Sequence, residues 1–286
     1  MDSTLLQRQP VEAAGTTFDA VLLGEGPLTV VFVNGLGSPL EEWALVAPAI
    51  AEHSRVLCYD RRSAPRRGPV PVHGAAQMIS DLDAILTALD VTGPLVLVGH
   101  SWGGAVVRSY VAAHPDRVKG VVLVDASHEN IRGMMPTRFS KVLYTASGTM
   151  LRVGPLRRRL LGSLGFEHLP AAEQRFVGRL PWMAEGRTSR AEYAGIGPSL
   201  TELAQTAPDL PPVPTRVLLA GGRPGLMMKL GAQQIAAIRS VWDRAVAGRA
   251  DVELEVVEGA GHYISLDRPQ AVIDAVSDVA KVSIAS

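Results

Sequence analysis

Short runs of consecutive apolar residues alternate along this chain with longer stretches in which apolar residues return every third or fourth position. Thr29-Val30-Val31-Phe32-Val33, Val56-Leu57-Cys58-Tyr59, Leu95-Val96-Leu97-Val98 and Val121-Val122-Leu123-Val124 are runs of the first kind. Apolar at nearly every position, they predict strands buried on both faces, as in a parallel sheet. Between them, residues 41–53 read as a helix. So do residues 74–91, which set Met78, Leu82, Ile85, Leu86 and Leu89 on one face and Asp81 and Asp83 on the other. Residues 102–114 follow with Ala105, Val106, Tyr110 and Ala113 in helical register, and Pro115 stops them. Further on, Val217-Leu218-Leu219-Ala220 predicts a strand, residues 230–247 a helix with Ile235, Ile238 and Trp242 turned inward, and Val252–Val257 another strand. A last helix begins near Asp267, a cap ahead of Pro269, and runs through Ile273, Val276 and Val279. This alternation predicts an α/β fold: a mostly parallel central sheet with helices on both faces.

The alternation stops after Asp125 and resumes near Thr215. The intervening chain is helix-like, interrupted by glycine and proline, and carries the arginine triplet Arg157-Arg158-Arg159. It reads as a helical cap inserted over the sheet edge, residues 128–212, within a core made of residues 1–127 and 213–286. The four prolines at 208, 211, 212 and 214 mark the seam where the insertion returns.

With 28 basic and 28 acidic residues in 286, the chain has no global field that would recruit nucleic acid or an anionic membrane. The one cysteine, Cys58, rules out an intrachain disulfide and reads as a small core residue. Residues 1–15 lack the apolar core of a secretory signal, and no stretch has transmembrane length, so a soluble cytoplasmic protein is expected.

Chemistry enters at Gly99-His100-Ser101-Trp102-Gly103, which joins a predicted strand to a predicted helix. A serine in so sharp a turn projects its hydroxyl above the sheet edge beside a helix N-terminus, and small neighbours are needed for the close approach. The hydroxyl becomes nucleophilic only when a base takes its proton. Of the seven histidines, His262 follows the strand Val252–Val257 across Glu258-Gly259-Ala260-Gly261, at the carboxyl end of the sheet where sites of such folds collect. His100 packs or hydrogen-bonds beneath the turn; His53, His73, His114 and His168 read as surface. His128 stands near the site entrance, within reach of substrate or satisfied within its loop.

The acid that orients the base should be a buried carboxylate. No aspartate or glutamate occurs in residues 210–242, so the strand Val217 to Ala220 cannot end in one. Asp125 ends the preceding strand directly. The alternative role for Asp125 is to cap the segment beginning Ala126-Ser127. An oxyanion needs two backbone donors. Trp102 supplies one, and the loop Asn34-Gly35-Leu36-Gly37-Ser38 the other, at Leu36; the same glycines also suit an ordinary strand-to-helix turn.

These pieces resemble the α/β-hydrolase superfamily over nearly the whole chain outside the insertion. They are Asn34-Gly35-Leu36-Gly37, Tyr59-Asp60-Arg61, Gly99-His100-Ser101-Trp102-Gly103-Gly104, Val122-Leu123-Val124-Asp125, and Gly261-His262 with Asp267-Arg268-Pro269. The resemblance implies histidine where Asn34 stands and, usually, an acid after the strand ending at Ala220, although some members place it where Asp125 is. It also implies aspartate at the position of Ser101 in dehalogenases and epoxide-opening enzymes.

The expected chemistry is acyl transfer: Ser101 attacks, His262 moves the proton, Asp125 orients it, and water releases the acid, with no metal and no cofactor. The substrate is expected to be a small hydrophobic ester or lactone. It would touch Asn34, Gly35 and His128, with Met134, Met135, Phe139, Trp182, Met183 and Met227 offering adaptable apolar surface. Leu161, Leu164 and Met228 belong to the same group, and all of these residues suit an ordinary core equally well. Rival readings keep the triad for carbon–carbon hydrolysis, perhydrolysis or transfer to an alcohol, or keep the pocket as a ligand-binding receptor. Oligomeric state stays open between monomer and homodimer.

Overall fold

A computed structural model describes residues 5–62, 71–131, 154–180, 186–207, 210–222 and 232–285. Met134, Met135, Phe139, Trp182, Met183, Met227 and Met228 lie outside the described residues. Eight strands form one sheet in the order β1-β2-β4-β3-β5-β6-β7-β8. β3 (Thr29–Val33), β4 (Arg55–Tyr59), β5 (Leu95–His100), β6 (Val118–Val124), β7 (Thr215–Ala220) and β8 (Val252–Val257) are parallel. β1 (Gln9–Ala13) and β2 (Thr16–Leu23) add an antiparallel hairpin at one edge.

The pleat sorts the apolar runs into two cores. On β3, Val30 and Phe32 face one way and Val31 and Val33 the other; on β5, Val96 and Val98 oppose Leu95 and Leu97. One core is closed by α1 (Ala47–Ala51) and the last helix, α9 (Pro269–Ala285), through Ile50, Val272, Val276 and Val279. The other is closed by α2 (Ala75–Ala88), α3 (Trp102–Ala113) and α7 (Ala232–Val246), which bring in Leu82, Ile85, Val106, Tyr110 and Trp242. Helices on both faces explain why β3 and β5 are buried on both sides.

Between β6 and β7 the described residues form α4 (Gly154–Ser163), α5 (Ala171–Val177) and the long α6 (Arg187–Thr206). Leu160, Leu161, Phe166 and Val177 of this insertion pack against Tyr263, Ile264 and Leu266 of the core.

Several expectations need correction. Residues 41–53 are not one helix but a 3₁₀ turn, Leu40–Trp43, followed by the short α1. Asp60 Oδ1 accepts the Leu40 amide at 2.8 Å, and Pro48 lies in the first turn of α1, where proline starts a helix. Ile235 is exposed because α7 packs inward through Val241 and Trp242, with Ile238 half-buried and Ile235 a turn nearer the helix start. Asp267 closes a four-residue helix, α8 (Ile264–Asp267), and its Oδ2 accepts the Gly261 amide at 2.7 Å. His73 is buried, because the insertion covers it and its amide donates to Ala191 O at 3.2 Å. Cys58 is a buried free thiol.

Candidate active site

The carboxyl ends of β3, β5, β6 and β8 carry the candidate residues. Ser101 stands between β5 and α3 with φ 51° and ψ −118°. Asp125, immediately after β6, has φ 42°. A non-glycine residue held in this region costs on the order of 1–3 kcal/mol and persists only where its surroundings impose it. Here the surroundings do: the Ser101 amide donates to Val124 O at 3.0 Å, its carbonyl accepts from Ser127 at 2.8 Å, and the Asp125 amide donates to Leu218 O at 2.7 Å. Gly103 shows why the turn needs small residues, since a Cβ there would lie 2.2 Å from Val33 O and 2.6 Å from Asn34 O. Any larger residue would push α3 away from the end of β3.

His262 Nδ1 lies 2.6 Å from Asp125 Oδ2, and Asp125 Oδ1 accepts the Ala220 amide at 3.1 Å. The end of β7, which has no acid to offer, therefore supplies a backbone donor that steadies the acid of β6. Burial alone would raise the Asp125 pKa, but the hydrogen bond and charge of His262, with the Ala220 amide, bring it below the usual carboxylate value. Asp125 thus stays ionised and fixes the proton of His262 on Nδ1, leaving Nε2 to accept. His100, adjoining Ser101, lies with its ring centroid 4.6 Å from that of His262, and its Nε2 donates to His262 O at 2.9 Å. His262 is therefore tied to the turn that presents Ser101.

Beneath the turn, His100 Nδ1 meets Glu42 Oε2 at 3.0 Å, and Glu42 Oε1 accepts the Gly35 amide at 2.9 Å. The Gly37 amide donates to Glu192 Oε2 at 3.3 Å and the Ser38 amide to Gly35 O at 3.1 Å. From Gly35 to Ser38, the Leu36 amide is the one loop donor without a protein acceptor among the described residues, as an oxyanion donor must be. Trp102 opens α3, where first-turn amides have no intrahelical acceptor.

Asn34 is spent on holding this loop rather than on facing substrate. Its Nδ2 donates to Ser38 O, Tyr59 O and Asp60 Oδ1 at 3.2, 3.1 and 3.4 Å, and its Oδ1 accepts from Trp43 Nε1 at 2.9 Å. Gly35 likewise is buried and commits its amide to Glu42 and its carbonyl to Arg61 rather than to substrate. Glu42, Glu192 and Arg61 are the participants that sequence reasoning missed as site residues. Arg61 stood inside a recognised motif, but nothing in one sequence tells a buried Glu42 or Glu192 from a solvated one.

His128 is buried, with its ring edge-on to Trp242 at 5.0 Å and its Nδ1 accepting the Asn130 amide at 3.2 Å. Burial, then the charge of Arg108, lower its pKa to about 4 against the pull of Glu129. The unfolded chain binds that proton near pH 6.5 while the native state refuses it, so stability is lost as pH falls from about 6.5 towards about 4. Urea midpoints should show wild type losing ground to a His128→Gln variant over this window; a constant difference would contradict the assignment.

The model of the alpha/beta hydrolase family matches residues 30–275. The chain belongs to the α/β-hydrolase family. A non-heme chloroperoxidase of Streptomyces lividans is 38% identical over 102 residues, 35% of this chain and 37% of that protein. The matches to eight curated relatives span between 17% and 59% of those proteins' lengths. Among solved structures, an epoxide hydrolase, CorEH, superposes with a TM-score of 0.70 at 21% identity, covering 96% of this chain and 98% of that one. A thermophilic esterase from Thermogutta terrifontis gives 0.66 at 21% identity, covering 97% and 99%. At these identities the two structures show a shared fold. Among the described residues of this α/β-hydrolase, no helix is long and apolar enough to cross a membrane.

Proposed function

We propose that this α/β-hydrolase is a serine hydrolase that cleaves a small apolar ester or lactone through an acyl-enzyme. The observation that carries the reading is the 2.6 Å contact between His262 Nδ1 and Asp125 Oδ2, made by a histidine whose carbonyl is bonded to the residue before Ser101. In the first half-reaction Ser101 Oγ attacks the acyl carbon as its proton passes to His262 Nε2. The tetrahedral oxyanion is received by the amides of Leu36 and Trp102, and collapse expels the alcohol with that proton. In the second half-reaction water, deprotonated by His262, attacks the acyl carbon; the bond to Ser101 Oγ then breaks, the proton passes from His262 to Oγ, and the carboxylic acid leaves. No step calls for a metal or cofactor. Serine at position 101 favours this chemistry over epoxide opening, for which the family resemblance places aspartate there.

The insertion, read as a cap over residues 128–212, would supply specificity. A cavity of about 580 Å³ lies among its helices, lined by Leu161, Phe166 and Val177 and also by Arg157, Arg158, Arg175 and Arg179. Phe166 meets Tyr263 edge-on at 5.1 Å, next to His262 in the chain. The Leu161, Phe166 and Val177 part of this lining suits an apolar acyl group.

A fluorophosphonate is expected to label wild type stoichiometrically and to label neither Ser101→Ala nor His262→Ala, with short-chain nitrophenyl esters turned over by wild type alone. Labelling without turnover across a broad acyl panel would instead favour a receptor-like role, and equal labelling of Ser101→Ala would end the proposal. The chloroperoxidase relative motivates one further assay. If hydrogen peroxide replaces water as acceptor, the same acyl-enzyme yields a peracid, detectable by peroxide-dependent halide oxidation.

A further inference from the structure

Arg61 and Glu192 form a buried bridge that reaches from the end of β4 to the inserted helix α6 and encloses the loop carrying Leu36. The side chains are 6% and 2% exposed. Arg61 Nε donates to Glu192 Oε1 at 2.9 Å and Nη2 to Glu192 Oε2 at 2.8 Å. The same guanidinium donates from Nη1 to Asn34 O at 2.6 Å and from Nη2 to Gly35 O at 2.5 Å, while Glu192 Oε2 takes the Gly37 amide. The peptides on either side of Leu36 are thus gripped by one planar cation and its carboxylate partner.

The helix bearing Glu192 is itself seated on the core along one face. A Cβ on Gly195 would fall 2.3 Å from His73 O, and Ser199 Oγ accepts the amide of Ala75, the first residue of α2, at 2.9 Å. Glu192, Gly195 and Ser199 recur at the three- and four-residue spacing that puts them on one side of a helix. An apolar pair of similar volume would hold α6 at least as well, because desolvating a buried ion pair consumes most of its attraction. What the bridge supplies instead is direction: four N–H groups of a rigid fork, each aimed at a stated oxygen.

We infer that Glu192 is a positioning residue through which the inserted helix sets the Leu36 amide for the oxyanion. The inference rests on the hydrolase reading for its chemical consequence, though not for the coupling itself. Helix α6 is then a working part of the oxyanion site, and whatever shifts it on the core alters turnover before it alters binding.

The test uses the full chain with Glu192→Gln, which keeps volume but withdraws the charge, and Arg61→Lys, which keeps charge but cannot reach four acceptors. Each is expected to lower kcat on a nitrophenyl ester by about 10–100-fold while KM stays within about threefold, as for a donor displaced by about 1 Å. Affinity for a boronic acid, whose adduct carries the tetrahedral oxyanion, should fall by the same factor. The double variant should lose no more than the worse single one, because both act through one contact. Amide exchange across residues 35–38 should quicken in each variant, and this arm needs no activity. A kcat within twofold of wild type in both variants, a change confined to KM, or unaltered exchange would each overturn the inference. If wild type neither labels with fluorophosphonate nor cleaves esters, the hydrolase reading fails, and exchange alone decides whether Glu192 controls the loop.

Discussion

Asp125→Asn is expected to fold as wild type does and to lose about 10³–10⁴-fold in kcat on an activated ester. The carboxylate does two jobs with separate oxygens, Oδ2 toward His262 Nδ1 and Oδ1 toward the Ala220 amide. An asparagine carbonyl still serves Ala220, so the end of β7 stays in place. The amide group then faces Nδ1 as a donor, forces that nitrogen to accept, and moves the ring proton to Nε2. An imidazole protonated there cannot take a proton from Ser101. The measurement is kcat together with a thermal midpoint, and the signature is a large kinetic loss with little change in melting. Near-native turnover would move the orienting role elsewhere. Asp267 is poorly placed to take it, since its Oδ2 is engaged by the Gly261 amide and its Oδ1 lies 3.4 Å from His168 Nε2.

The central strands were legible because burial on both faces leaves runs of consecutive apolar residues, and their shortness and β-branched content separate them from buried helices. Val30 through Val33 and Leu95 through Val98 could hardly be read otherwise, and the sheet pairs both runs in parallel register. The hairpin β1-β2 escaped notice because most of it is half-buried, with Val11, Phe18 and Ala20 set between exposed residues before Val21 adds a second buried neighbour, and such an edge pattern is short and weak. Its turn was visible in principle at Ala14-Gly15, both at positive φ, as a two-residue hairpin of the primed type requires. The helix expected over residues 41–53 failed for another reason. A side chain from a remote strand end, Asp60, takes the Leu40 amide, and tertiary hydrogen bonds of that kind leave no local trace.

For the site, residues whose backbone must turn sharply at a strand end were readable: Ser101, Asp125 and the 34–38 loop all follow apolar runs. Asp125 was reached by excluding acids from residues 210–242, and the structure puts its carboxylate against His262. Buried polar residues that hold those turns were not readable. Glu42, Glu192 and Arg61 have the composition of solvated surface, and only their three-dimensional partners show otherwise. Asn34, expected to touch substrate, has its amide oxygen and nitrogen directed to protein atoms.

Removing the carboxylate at position 42 should be the most damaging single change beneath the site. Glu42 is fully buried and His100 almost so, and the His100 nitrogens face a carboxylate on one side and the His262 carbonyl on the other. A carbonyl only accepts, so Nε2 carries a proton. Burial alone would lower the pKa of His100, but the charge and hydrogen bond of Glu42, followed by the charge of Asp125 and the His262 carbonyl, outweigh it and leave it raised. Glu42→Ala leaves that imidazole without its counter-charge and the Gly35 amide without its acceptor. Breaking a buried pair in this way costs about 3–5 kcal/mol, whereas an apolar replacement of both partners, Glu42→Leu with His100→Phe, should cost less than the two single losses added together. The pH dependence has a definite sign. A histidine whose folded pKa is raised contributes stability that is complete below the unfolded value and disappears as pH climbs through the folded one. The gap in unfolding free energy between wild type and Glu42→Ala should therefore be widest below about pH 6.5 and narrow in alkali, as read from urea titrations. A gap that widens with pH would mean that His100 is neutral and that Glu42 serves the Gly35 amide alone.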